Sequence, residues 1–359
     1  NGCVGTPFNL TVTVNPIAVI TSAAVKTVCN VTPLAYTATS STAGASFAWT
    51  RAVVAGISNG AGAGATALIN ESLNNTTTAA VNATYVITPG FGGCSGTPFN
   101  LIVTVQPTAV ITSAAAKTIC DNASTAYVIT SSTAGTTFAW TRAAVGGIAN
   151  PAGAGAGANI NENLDNTATG SRNVTYVITP TYAGCTGTVF NLVVTVQPTA
   201  VITSANSKTV CDVTPLAYTA TSSTGGATFA WTRAAVAGIT NPAGAGAAAL
   251  INESLDNTTI APVNVIYVIT PSAGACAGTP FNLTVTVNPA AVITSAAAKT
   301  ICDNASTAYT ATSSTVGATF AWTRAVVAGI ANAAGAGATS AINENLDNTT
   351  SAPVNVTYI

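Results

Sequence analysis

Trp49, Trp140, Trp231 and Trp322 stand 91 residues apart, and no other feature constrains the fold of this chain as tightly. Two cysteine series keep the same interval: Cys3, Cys94, Cys185 and Cys276, then Cys29, Cys120, Cys211 and Cys302. A fixed period of this length means repeated structural units. About 90 residues is enough for a small domain with its own core. Copies one and three share VTPLAYTATSS and INES, whereas copies two and four share NASTAY and INEN, so the building block reads as a duplicated pair. The implied boundaries are 17–107, 108–198, 199–289 and 290–359, with residues 1–16 repeating the end of a unit.

The segment Thr84–Pro107 reads as a β-hairpin. An aromatic and β-branched run is followed by a Gly-rich turn holding Cys94 and a second run in which Phe99, Leu101, Val103 and Val105 share one face. It recurs at Thr175–Pro198 and Ile266–Pro289. Elsewhere in the first unit, strands are expected at Ala18–Thr21, Lys26–Cys29, Tyr36–Ser41, Phe47–Arg51 and Leu68–Leu73. Phe47 and Trp49 share a face and form the natural core anchor, with a sugar-stacking platform as the alternative role of the indole. Arg51 closes that strand. Gly60–Ala67 reads as a long glycine loop, the alternative being a flat surface for close packing. About seven short strands, no helix and frequent turn signals give an all-β fold, a tandem array of four β-sandwich domains with antiparallel sheets. Each unit leads into the next through Asn-Pro or Gln-Pro, which makes stiff, extended junctions.

Only 5% of residues are charged and the net charge is −1. That excludes the basic footprint of a nucleic-acid partner. It leaves a Thr, Ser, Asn and Ala surface with little mutual repulsion, suited to packing against copies of itself. No apolar run is long enough to span a bilayer. Two cysteines per unit, never in CxxC spacing and with no histidine in the chain, argue for disulfides in an oxidising compartment and against zinc.

The motif series TVC, AYTATSS, FAWTRA, INENLDNTT, VTYVITP, GC and GTPFNLTVTVNP resembles the PKD-like repeats of cell-surface proteins from Bacteroidota. The resemblance covers each copy nearly end to end and is most specific at the GC to GTPFNLTVTVNP hairpin. It implies immunoglobulin-like sandwiches in an extracellular, cell-surface array exported by type IX secretion, serving as a structural filament or adhesin stalk. An array binding surface glycans through exposed loops is the alternative. In such a topology Cys29 and Cys94 fall at opposite ends of one domain, too far apart for a disulfide. Staples between neighbours, Cys29–Cys185 and Cys120–Cys276, are therefore favoured over pairs within a domain such as Cys29–Cys94, with all eight cysteines oxidised.

Catalysis is not expected. There is no histidine for a nucleophile–base pair. The one carboxylate pair worth weighing, Glu162 with Asp165, is lost in copy one, where Asn74 replaces the aspartate. Asn161, Glu162, Asn163, Asp165 and Asn166 offer oxygen ligands for calcium, but an Asn/Asp turn explains them equally, and no cofactor is expected. Lys26, Lys117, Lys208 and Lys299 raise the possibility of isopeptide bonds, against the commoner exposed lysine. Sequons such as Asn30 and Asn82 leave glycans open.

The two ends complete the expectation. Phe8, Leu10, Val12 and Val14 match Phe281, Leu283, Val285 and Val287, the last strand of the third unit, while the fourth unit stops short of that strand. The segment 1–16 is thus expected to finish the last domain of a preceding copy, head to tail. It does so either along one continuous polypeptide or by strand insertion between subunits.

Overall fold

The computed structural model describes residues 2–359. Asn1, the first residue of the 1–16 segment, lies outside them. The chain forms two compact units, 1–197 and 198–359, each holding two repeats. Among the described residues there is no helix.

Repeat 1 shows how the sequence makes the sandwich. Its strands are β1 (Val25–Cys29), β2 (Tyr36–Thr37), β3 (Ser46–Arg51), β4 (Gly62–Gly64), β5 (Leu68–Ile69), β6 (Val81–Phe91), β7 (Cys94–Ser95) and β8 (Phe99–Gln106). The main sheet runs β1-β8-β6-β3-β4, with β7 folded back on β6. The facing layer is the pair β2-β5, extended by the bridges Ile20↔Ser40, Pro33↔Ser72 and Ile57↔Asn75. Strict alternation drives the packing. Tyr85 and Ile87 on β6 and Leu101, Val103 and Val105 on β8 are fully buried, and the residues between them are more exposed. Phe47 and Phe99 pack partly buried against the same core. Each fully buried Leu, Ile or Val contributes about 1.5–3 kcal/mol. Repeats 2 and 3 reproduce this sheet order strand for strand.

Three expectations need correction. The sheets are not wholly antiparallel: β1 pairs with β8 in parallel, Val25 opposite Ile102 and Cys29 opposite Gln106. The chain enters on the small layer at Ile20, crosses at Ser22–Ala24, and then runs beside β8 in the same direction. Consequently it enters a repeat at one end and leaves at the other, as a tandem array requires. The expected strands at Ala18–Thr21, Tyr36–Ser41 and Leu68–Leu73 shrink to bridges and two-residue ladders. Finally, the middle of the glycine run Gly60–Ala67 is a short strand, Gly62–Gly64, flanked by irregular backbone. In β4 the glycines face inward and Ala63 outward. A Cβ on Gly64 would lie 2.6 Å from the Trp49 indole, and one on Gly62 would lie 2.6 Å from Glu71. Only glycine lets this edge strand close over two large side chains.

Repeat 4 differs. Its β2- and β5-type strands (Tyr309–Thr310, Ala341–Ile342) pair, as do Trp322–Arg324 and Gly335–Gly337. Residues 298–302, the β1 equivalent, are not a strand, and among the described residues no β8-type strand lies beside them.

Candidate functional site

One buried polar cluster recurs in every repeat. On β3, Arg51 continues the inward face of Phe47 and Trp49, so its guanidinium enters the core and its side chain is only 1% exposed. Glu71, two residues beyond buried Ile69, meets it from the other layer: Nε donates to Oε2 at 3.0 Å and Nη2 to Oε1 at 3.3 Å. The Tyr85 hydroxyl on β6 donates to the same carboxylate at 2.7 Å. The remaining guanidinium donors reach the Ala52 and Gly60 carbonyls. Trp49 packs against Tyr85 with ring centroids 5.7 Å apart. Arg142–Glu162–Tyr176, Arg233–Glu253–Tyr267 and Arg324–Glu344–Tyr358 repeat the geometry.

The electrostatics are those of a satisfied structural pair. Burial alone would raise the Glu71, Glu162 and Glu253 carboxyls, but hydrogen bonds from arginine and tyrosine and the guanidinium charge outweigh it and hold them below the usual glutamate value. Burial, then the hydrogen bond to the carboxylate, pushes the tyrosines up, Tyr358 to about 12. No carboxylate here is poised to exchange a proton near neutral pH. The cluster was missed in the sequence because an arginine at a strand end defaults to the surface. The available signal was one Arg and one Glu recurring 20 residues apart, each in phase with buried neighbours.

The other sequence candidates have local roles. Glu162 is held by Arg142 and Tyr176 rather than by Asp165. The Asn166 side-chain amide donates to the Gly170 and Val196 carbonyls, which is turn chemistry. Among the described residues, no group of three or more His, Cys, Asp or Glu could hold a metal. Lys117, Lys208 and Lys299 donate to the carbonyls of Ala126, Ala217 and Ala308, not to an asparagine side chain. The indoles of Trp49, Trp140 and Trp231 are buried, so they are not exposed platforms for sugar stacking.

The junction of repeats 1 and 2 carries the cystine. Cys29 at the end of β1 is bonded to Cys185, with Cα atoms 5.5 Å apart. A tight turn at Ala183 and Gly184, both with positive φ, presents Cys185 beside Tyr182. Two residues on, Gly187 abuts the Ala109 carbonyl, where a Cβ would come within 2.1 Å. Asn30 adds a hydrogen bond to Thr108. Cys120 and Cys276 are also in disulfides. Cys3, Cys94, Cys211 and Cys302 form no disulfide among residues 2–359.

The last site is a groove of about 1020 Å³ in repeat 4, lined by Ile301, Phe320, Trp322, Ile342, Leu346 and Tyr358 among others. It lies where β8 sits in repeat 1. In repeats 1–3 an asparagine side-chain amide donates to a β8-type carbonyl, as Asn75 does to Val105 at 2.9 Å; the Asn348 side-chain amide donates to the Ala352 carbonyl. Phe8, Leu10, Val12 and Val14 are 87%, 74%, 68% and 88% exposed and pair with no strand.

The model of the PKD-like domain family matches residues 26–109, 117–200 and 208–291. No curated protein matches the chain. Among solved structures, protocadherin gammaB7 EC3-6 is 12% identical, with 94% of each chain covered and a TM-score of 0.28. Drosophila N-cadherin EC1-4 is 12% identical over 74% of this chain and 72% of that one, at 0.27. The insect immune protein hemolin is 11% identical over 93% of each, at 0.26. At such scores the likeness carries no inference.

Proposed function

The chain belongs to the PKD-like domain family, and from that premise we propose that it is a structural segment of an extracellular, cell-surface filament or stalk. Stiff sandwiches are joined head to tail in it, as in the Bacteroidota surface arrays exported by type IX secretion that its sequence resembles. The observation that carries this reading is the match between the repeat 4 groove and the segment Thr6–Val14. The groove has the lining that β8 fills in repeat 1, and the segment has the β8 sequence and an exposed apolar face. Such a segment from the neighbouring copy completes repeat 4, with Phe8, Leu10, Val12 and Val14 facing the core as Phe99, Leu101, Val103 and Val105 do. The proposal is the same whether that strand arrives on one polypeptide or from another molecule. At the resulting junctions, Cys302 pairs with Cys94 and Cys211 with Cys3 of the following copy, at the spacing of Cys29 and Cys185. The domain boundaries 17–107, 108–198, 199–289 and 290–359 follow, with 1–16 as the completing strand.

Light scattering on the purified chain tests this. Oligomers should grow with concentration and appear as linear strings by electron microscopy. Leu10→Asp with Val12→Asp should abolish them, because two buried carboxylates opposite an apolar groove cost several kcal/mol. A wild-type chain that stays monomeric at high concentration, or one whose assembly survives the double substitution, contradicts completion of repeat 4 by a second molecule. The alternative, a glycan-binding array, requires selective binding to one sugar class on a glycan array.

A further inference from the structure

From the position of the Cys29–Cys185 bond we infer that tension along repeats 1 and 2 is carried by the first strand of one and the last strand of the other and bypasses the rest of both sandwiches, so that neither repeat can be extended while the cystine is intact. The bond joins residues 156 apart in sequence yet sits at the junction itself. In repeat 1 the chain passes Ile20, then runs along β1 in the direction of β8, and Cys29 ends it opposite Gln106, the last residue of β8. In repeat 2 the Cys185 turn lies where the chain enters, since Gly187 abuts the Ala109 carbonyl. From that turn the strand Phe190–Gln197 runs to the far end, where Gln197 lies opposite Cys120. The shortest covalent route therefore goes up the first strand of repeat 1, across the cystine and along the last strand of repeat 2. Both legs follow the pulling direction, and much of each is already extended strand.

The lengths decide the consequence. Between Ile17 and Val201 this route holds 12 residues before the bond and 16 after it. At about 3.3 Å per strand residue that is roughly 90 Å. The 11-residue β6 spans roughly 36 Å of one sandwich on the same measure, so two sandwiches in series already take up most of the route. Very little slack remains. The bypassed stretch, residues 30–184, contains both tryptophans and both Arg–Glu–Tyr clusters of these repeats. Without the bond, force would instead shear the parallel ladder between β1 and β8 and then release the stretch. The inference depends neither on what the array attaches to nor on how repeat 4 is completed, so the pulling and assembly experiments can fail separately.

Single-molecule pulling on the full chain tests it, with attachment handles at Ile17 and Val201, which are 64% and 55% exposed. The oxidised protein should stretch to about 100 Å and give no unfolding steps before the tether breaks. Cys29→Ser, made together with Cys276→Ser because Cys120 and Cys276 are also in disulfides, should add two unfolding steps that together release 156 further residues, about 560 Å of contour. Cys185→Ser in place of Cys29→Ser should do the same. Adding a phosphine reductant to an oxidised wild-type tether should convert it to the long form, which covers the case of a variant that fails to fold. Unfolding steps of several hundred ångströms in the oxidised chain, or no added length after reduction, would overturn the inference.

Discussion

Trp140→Ala should destabilise repeat 2 by about 3–5 kcal/mol, the cost of deleting a buried large aromatic. The indole is 8% exposed, packs on Tyr176 with centroids 5.5 Å apart, and fills the space above Gly155, where a Cβ would lie 2.5 Å from it. Its removal also strips the inward face of the edge strand Gly153–Ala156, which has no side chains of its own to fill the void. One term acts the other way: the indole N–H is buried without an acceptor, and deleting it relieves about 1 kcal/mol or more. Trp140→Phe should therefore cost clearly less than alanine. Because repeats stack as quasi-independent units, repeat 3 should keep its stability. Amide exchange read separately on Arg172–Tyr182 and Val263–Ala273 checks both points. Equal protection of the two strands in the alanine variant would refute the core assignment.

Arg142→Ala should cost repeat 2 about 3 kcal/mol, the lower end of the range for breaking a buried pair. The lower end applies because Glu162 keeps 23% side-chain exposure, so water recovers part of the lost interaction. Trp140 reports the loss directly: with one tryptophan per repeat, about a quarter of the fluorescence transition should move to lower denaturant. The pH dependence follows from the depressed carboxyl. A glutamate whose folded value lies below its unfolded one contributes stability that is fully present above the ordinary glutamate value. That stability is lost as pH falls through the folded value. Wild-type repeat 2 should thus weaken on acidification below that range, and Glu162→Gln should be less stable at neutral pH with a flatter acid profile. Fluorescence-monitored urea unfolding across that range decides it; identical slopes would contradict the assigned pair.

What the sequence revealed depended on whether a residue's role was written in its own neighbourhood. The hairpin Thr84–Pro107 was legible because β6 and β8 carry strict alternation and a short turn. The pairing direction of β1 was not, since period-2 patterning is identical in parallel and antiparallel ladders. The glycine run was misread because glycine shows no face, and what makes β4 a strand is Trp49, brought to it only by folding. Arg51 and Glu71 are separated by a whole layer crossing, and each alone reads as a surface charge. The cystine Cys29–Cys185 was favoured in the sequence only through the immunoglobulin-like topology that the family resemblance implies, which puts Cys29 and Cys94 at opposite ends of one domain. The repeat 4 groove, by contrast, was legible from the 91-residue period alone, once Phe8, Leu10, Val12 and Val14 were set against Phe281, Leu283, Val285 and Val287.

The most direct test of head-to-tail completion is amide hydrogen exchange at Thr6–Val14 in the assembled protein. If the segment occupies the groove of a neighbouring repeat 4, its amides should be protected to the same degree as those of Phe99–Gln106, and protection should vanish in the Leu10→Asp, Val12→Asp variant. Exchange at the rate of an unstructured peptide in assembled wild-type protein would show that the segment lies free in solvent and that the repeats are joined in some other way.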